Sequence, residues 1–278
     1  MVNILSKQAV DVAQKTGFDN ARQRVHQATV EMLRGCKPQP VGQVGYGVGP
    51  GQYQQQQQQQ QDSPIPLTLQ LLPLYSMSVQ KSLALRGGAE VRIDERAFYQ
   101  QLVFNMDVDA SRVFIYPRMF SLHDLSDDAG VPSEVGEEDI PTAGPFHIRL
   151  PQILNLTHER LASDGVFLLE NGFDLFMWIG RQVSPAILST LFGVSSLDST
   201  DPSTMAIQPD NSDYSSRVHA IVVALRADRD RFMHLHFIRE GDGHAEAFFA
   251  RYLVEDRCIC SVLLLLLLLL LLLLLLLL

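Results

Sequence analysis

Cysteine is scarce in this chain. Cys36, Cys258 and Cys260 are the three in 278 residues, too few for a disulfide framework, and no two form the C-x-x-C pair that a zinc ribbon needs. That usage fits a reducing compartment. Positive charge is also short: Lys and Arg number 22 against 31 Asp and Glu, a net charge of −9. Lysine stands only at Lys7, Lys15, Lys37 and Lys81. Without a basic patch there is no footprint for gripping phosphate backbones, so nucleic acid is not an expected partner. A secretory signal is missing too, because Met1-Val2-Asn3-Ile4 runs straight to Lys7 and Asp11 with no apolar core or small-residue cleavage site. No G-x-S-x-G elbow occurs. The alternating glycines from Gly45 to Gly51 miss the G-x-G-x-x-G spacing and stand between no strand and helix, so no nucleotide cradle is expected there.

The chain is 46% apolar and 19% charged, a globular composition long enough for one large or two small cores. Two homopolymers, Gln54 to Gln61 and Leu263 to Leu278, distort these averages, and the mean hydropathy of +0.06 overstates how apolar the body is.

Helical spacing comes first. Leu5, Ala9, Val12 and Ala13, then Ala21, Val25, Ala28, Thr29 and Met32, predict two antiparallel helices within 1–36. Residues 37–66 collapse into Gly, Pro and Gln and read as a disordered insertion, since they cannot bury enough apolar area to offset ordering entropy. The helical region resumes over 67–125. One helix spans 67–86 and stops at Arg86-Gly87-Gly88. Another begins at Asp94 as its N-cap, with Ile93 and Phe98 as staple and Phe98, Leu102 and Met106 along one face. Phe114-Ile115-Tyr116-Pro117 must leave helix. Residues 126–145 form an acidic linker whose carboxylates lack calcium-loop spacing.

From 146 to 257 the period turns strand-like. Val166 to Leu169 and Phe173 to Ile179 predict a hairpin, with Asn171-Gly172 supplying two positive φ angles and Leu169 set opposite Asp174. Both faces of that hairpin are apolar, so helices should cover both. Ser184, Pro185 and Gly193 read as cap, first turn and stop of one such helix. A longer helix follows from about Asp213, then a strand over Phe232 to Ile238 and a last amphipathic helix carrying Ala245, Phe248, Phe249, Tyr252 and Leu253. The uncharged tail 258–278 is long enough to span a bilayer core at about 1.5 Å per residue. It reads as a repeat-expanded or mistranslated end, with a genuine tail anchor as the alternative.

No constellation carries chemistry. His234 and His236 share a strand face near Asp242 and His244, but their spacing specifies no metal geometry. Ser195 and Ser196 have no base placed by local sequence, and Asp228, Asp230 and Glu240 read as surface carboxylates. Trp178 belongs to the core before it anchors an interface. Cys258-Ile259-Cys260 is weak as a metal or lipid site. No catalytic, cofactor-binding or metal residue is therefore assigned, and no enzyme activity is expected.

The words of the sequence add to its periods. Leu72-Pro73-Leu74-Tyr75, Lys81 to Gly88 (KSLALRGG), Ile93-Asp94-Glu95-Arg96 and Val113 to Arg118 (VFIYPR) resemble, in order and spacing, the helical domain of the cargo-adaptor subunit of the COPII vesicle coat, the Sec twenty-four family. Glu159-Arg160-Leu161, Asp164 to Gly172 (DGVFLLENG), Gln208 to Ser212 (QPDNS) and Leu253 to Arg257 (LVEDR) resemble that family's gelsolin-like domain. The fold this implies is α+β: a helical bundle segment followed by a gelsolin-like α/β layer domain with a central mixed sheet.

The function implied is that of a non-enzymatic coat component in endoplasmic reticulum to Golgi transport, cytoplasmic and peripheral at exit sites and vesicles. It would pair with a sister inner-coat subunit and with cargo, and would be integral in the membrane only if the leucine tail is genuine. The family's zinc ribbon, trunk and β-sandwich have no counterpart in these residues. The resemblance therefore implies a C-terminal fragment with no cofactor. Where the family continues after Arg257 with an amphipathic helix returning to the bundle, this chain has Cys258 and leucine. The competing readings are an actin-binding gelsolin-like module and a tail-anchored membrane protein.

Overall fold

A one-residue break at Gly17, whose φ of 97° suits glycine, separates the first two helices, α1 (Val2–Thr16) and α2 (Phe18–Gly35). The structure is a computed structural model, and it describes residues 1–35, 66, 69–87, 91–133, 141–197 and 200–256. The insertion expected at 37–66 lies outside these but for Pro66, as do residues 134–140 of the acidic linker and the whole of the tail 258–278. The chain divides into two units, Met1–Ser111 and Arg112–Leu278.

In the first unit α1 buries Leu5, Ala9, Val10 and Ala13, while α2 buries Ala21, Val25 and Thr29. The expected stripes thus face inward, with Val10 taking the place given to Val12. The Thr29 hydroxyl hydrogen-bonds Ser76 Oγ at 2.8 Å, tying α2 to α3 (Leu72–Lys81). That third helix is shorter than expected. Ser82 turns extended (φ −60°, ψ 152°), its hydroxyl bonds Val79 O at 2.7 Å, and Leu83, Ala84 and Leu85 leave the helix to become buried in a turn.

The next helix, α4 (Ile93–Asn105), corrects two expectations. Asp94 lies inside its first turn and pairs with Arg92 at 3.2 Å, without capping any amide. Ile93 and Phe98 are exposed, and the buried positions are Gln100 and Val103. A polar side chain holds that face because Gln100 Nε2 donates to Ala84 O at 3.1 Å and its Oε1 accepts from Gln14 at 3.3 Å. α5 (Val108–Ile115) keeps Phe114 and Ile115 helical, contrary to expectation, and ends just before Tyr116-Pro117, where the proline takes effect.

The second unit is built on a five-stranded sheet in the order β4-β1-β5-β6-β7. Its strands are β1 (Arg118–Ser121), β4 (Ile153–Leu154), β5 (Val166–Glu170), β6 (Asp174–Ile179) and β7 (His234–Arg239). All neighbours are antiparallel except β6 and β7, so the sheet is mixed. A two-stranded ribbon, β2 (Thr142–Ala143) with β3 (Ile148–Arg149), stands apart from it in pairing. β1 pairs along β5 from Arg118 to Ser121. Residues 118–121 thus belong with the sheet, although the boundaries drawn from sequence left them with the helices; four residues are too short a run to show a strand period.

The hairpin sits two residues from its expected register, its loop moved on by one. Leu169 faces Phe176 and Glu170 faces Leu175, so the two loop residues are Gly172 and Phe173. Only Gly172 has positive φ, at 83°. Asn171 holds the turn instead with its side-chain oxygen, which accepts from the N–H groups of Phe173 and Asp174 at 2.8 Å each.

Both sheet faces are covered, as the two-sided apolar pattern requires. On one, Phe120, Leu168, Leu175 and Met177 pack under α6 (Pro185–Phe192) and α7 (Asp213–Ala227) through Leu188, Leu191, Val218, Ile221 and Leu225. On the other, Phe176 meets Phe248, Phe249 and Tyr252 of α8 (Gly243–Ala250) and the turn after it. Trp178 is buried there and donates to Glu246 at 3.2 Å. α6 is capped as expected: Ser184 Oγ accepts from Ala186, Pro185 opens the helix, and Gly193 closes it left-handed at φ 69°.

Candidate functional site

The histidine cluster does not close. His236 stacks on Phe176 with ring centres 5.3 Å apart and approaches Asp174 Oδ1 at 3.3 Å, while His234 turns to Phe232. Asp242 precedes α8 and His244 lies on it, and among the described residues no three His, Cys, Asp or Glu converge as metal ligands. Cys258 and Cys260 lie outside the described residues.

Three other places gather polar groups. The first is buried in the sheet. Glu170, with no exposed surface, accepts from Arg118 Nε at 2.7 Å and from Arg229 Nε and Nη2 at 3.0 and 2.7 Å. Two guanidiniums so satisfy one carboxylate on both oxygens, which is the condition under which a buried charge is tolerated. The only hint in the sequence is an acid ending an otherwise apolar strand; its partners come from 52 and 59 positions away.

The second is a cleft of about 450 Å³ near the carboxyl ends of β6 and β7, lined among others by Arg181, Ser195, Ser196, Arg239, Glu240 and Asp242. Its lining brings two serines together with two arginines and the carboxylates of Glu240 and Asp242, with no histidine or cysteine among the lining residues. Glu240 is committed to structure: it accepts from Arg181 N–H and from Ser163 Oγ at 2.8 Å each. The Arg181 amide bond chiefly holds its carboxyl below the ordinary range, with the Ser163 hydroxyl and the charge on Arg181 adding to this and desolvation opposing it. Asp228 is likewise occupied, accepting from Gly144 N–H at 2.7 Å.

The third is a groove of about 370 Å³ between α7, β7 and residues 205–207. Val222, Leu235, Phe237, Met205 and Ile207 make it apolar, and His219, Arg226 and His234 are its ionisable residues. Burial lowers the Arg226 pKa from its usual value. At the other end of α7, burial pushes the Tyr214 phenol up to about 12, and its hydroxyl donates to Leu122 O at 3.0 Å. What the described residues of the unit offer is a packed scaffold with two grooves open to contact.

Comparison with known proteins follows the same two-part division. The sequence pattern described as the Sec23/Sec24 helical domain matches residues 1–113, and that of the gelsolin repeat matches residues 147–218. Protein transport protein Sec24C of Homo sapiens is 34% identical over 190 residues, 68% of this chain and 16% of that protein. Protein transport protein sec24 of Aspergillus clavatus is 28% identical over 266 residues, 93% of this chain and 27% of its own length. Protein transport protein SEC24 B of Arabidopsis thaliana is 31% identical over 188 residues, again 68% of this chain and 16% of the relative. Among solved structures, the crystal structure of the human COPII-coat protein Sec24c is similar with a TM-score of 0.69 and 26% identity, over 92% of this chain and 29% of that one. The chain therefore spans less than a third of the length of these relatives.

Proposed function

The chain belongs to the Sec24 family, whose helical and gelsolin-like region it matches, and from that premise we propose that it works as a non-enzymatic part of the COPII coat, of cargo-adaptor type, in transport from endoplasmic reticulum to Golgi. The observation that carries this reading is the pairing of the two regions in one chain, in order, on a fold similar to that of a COPII-coat protein over 92% of its length. A gelsolin repeat alone would be shared with actin-binding proteins, and fold does not decide function. The helical region, matched over residues 1–113, favours the coat.

In this reading the chain has no substrate and needs no cofactor. Its layers hold shape, its partners are a sister inner-coat subunit and cargo proteins, and it sits peripherally on the cytoplasmic face of exit-site membranes. Among the described residues no helix is long and apolar enough to cross a membrane.

Two measurements on the full chain, tagged and expressed in cells, test the reading. Co-purification with the inner-coat subunit, together with release from membranes by alkaline carbonate, supports a peripheral coat component. Retention in the carbonate pellet supports an anchored protein. Co-sedimentation with actin filaments, with no coat subunit recovered, overturns the coat reading.

A further inference from the structure

The groove between α7 and β7 carries the sign opposite to the net charge of the chain. Its ionisable lining is His219, Arg226 and His234, with no acid among the lining residues, on a chain of net charge −9. Arg226 is held without being consumed. Its Nε donates to Met233 O at 2.9 Å, its guanidinium lies 4.6 Å over the Phe232 ring, and its Nη atoms have no hydrogen-bond partner among the described residues. Neither His219 nor His234 has one either, and His234 packs edge-on to Phe232 at 5.2 Å. Phe232 itself stands 64% exposed at the rim, a large ring held by a cation and an imidazole but with one face to water.

The groove also runs along the end of the sheet. β7 is the terminal strand, and Glu240 N–H donates to Ile179 O at 2.9 Å. Backbone groups alternate sides along a strand, so those of Leu235 and Phe237 turn away from β6. An extended chain laid there meets outward amides, an apolar floor and a fork of free guanidinium donors.

We propose that this groove docks a short extended peptide in which one large apolar side chain stands beside one or two carboxylates. The apolar side chain covers Val222 and Leu235 and stacks against Phe232, and a carboxylate takes the two Nη donors of Arg226 in bidentate fashion. Charge complementarity with Arg226 selects the acid. This inference goes beyond the coat reading and does not depend on it.

Fluorescence anisotropy with the full chain tests it. The probes are labelled peptides of roughly ten residues, each with a central Leu, Phe or Met flanked by glutamates, and a matched panel with glutamines. At least one glutamate peptide is expected to bind at submillimolar concentration, its glutamine twin about tenfold more weakly, with the difference narrowing in high salt. Arg226→Gln should remove most of the glutamate advantage, and Phe232→Ser should weaken both twins. Should Arg226→Gln fail to fold, the salt dependence and the exposed Phe232 variant still decide. Absence of binding across the panel, equal affinity of the twins, or binding indifferent to Phe232→Ser overturns the proposal. So does concentration-dependent self-association that Phe232→Ser abolishes, since a second copy would then be the occupant.

Discussion

Glu170 has no exposed surface and sits between the guanidiniums of Arg118 and Arg229. Removing its charge leaves two cations facing each other inside the sheet, so Glu170→Gln should lower the unfolding free energy by about 3 kcal/mol, read by urea denaturation of the sheet-containing unit. Glu240 offers a second test, by pH. Its folded-state pKa lies below the ordinary carboxylate value, so the stability it contributes is present above about 4.3 and lost as pH falls through the lower folded value. Glu240→Gln is therefore expected to destabilise the protein at neutral pH, with the gap between variant and parent closing in acid; a gap that widens in acid would contradict this. At this scale the sequence was legible where chemistry is local. Ser184, Pro185 and Gly193 form cap, first turn and stop within ten positions. It was not legible at Glu170, whose partners come from distant segments, nor at Asp94, because the helix begins at Ile93 and leaves Asp94 inside its first turn.

Helices and strands show the same division. α6 was readable from its ends, and its stop makes a direct test: Gly193 sits at φ 69° with no crowding side chain, so Gly193→Ala should cost about 1 kcal/mol and Gly193→Asn less, measured by thermal unfolding. α4 misled because its apolar spacing marked Phe98 for burial, while the buried face is organised by Gln100 reaching Ala84 and Gln14. Gln100→Ala should lower stability by about 1–2 kcal/mol, since it strands the Ala84 carbonyl; an unchanged melting curve would show that this bond is dispensable. The hairpin was found with its faces right and its register displaced. A step of one in the loop moves each cross-strand partner by two, and period-two alternation is blind to that shift. Only the side-chain turn made by Asn171, in which Phe173 and Asp174 donate to one oxygen, fixes the pairing.

For the molecule as a whole, two differently patterned units in one chain carry the family relationship, and words of sequence reached it more directly than periods did. The helical-to-strand switch was visible, but β1 was not, because four residues between a helix and an acidic stretch carry no alternation to read. The grooves were invisible for a related reason: Arg226, Phe232 and His234 come together only when α7 and β7 pack. The central claim is that this chain serves as the structural helical and gelsolin-like part of a COPII-coat adaptor. A chimera tests it most directly, with residues 1–256 of this chain replacing the matching segment of human Sec24C in cells depleted of that protein. The account predicts that the chimera assembles on exit sites and restores cargo export to the Golgi. A chimera that folds and accumulates normally yet neither joins the coat nor restores export would contradict it.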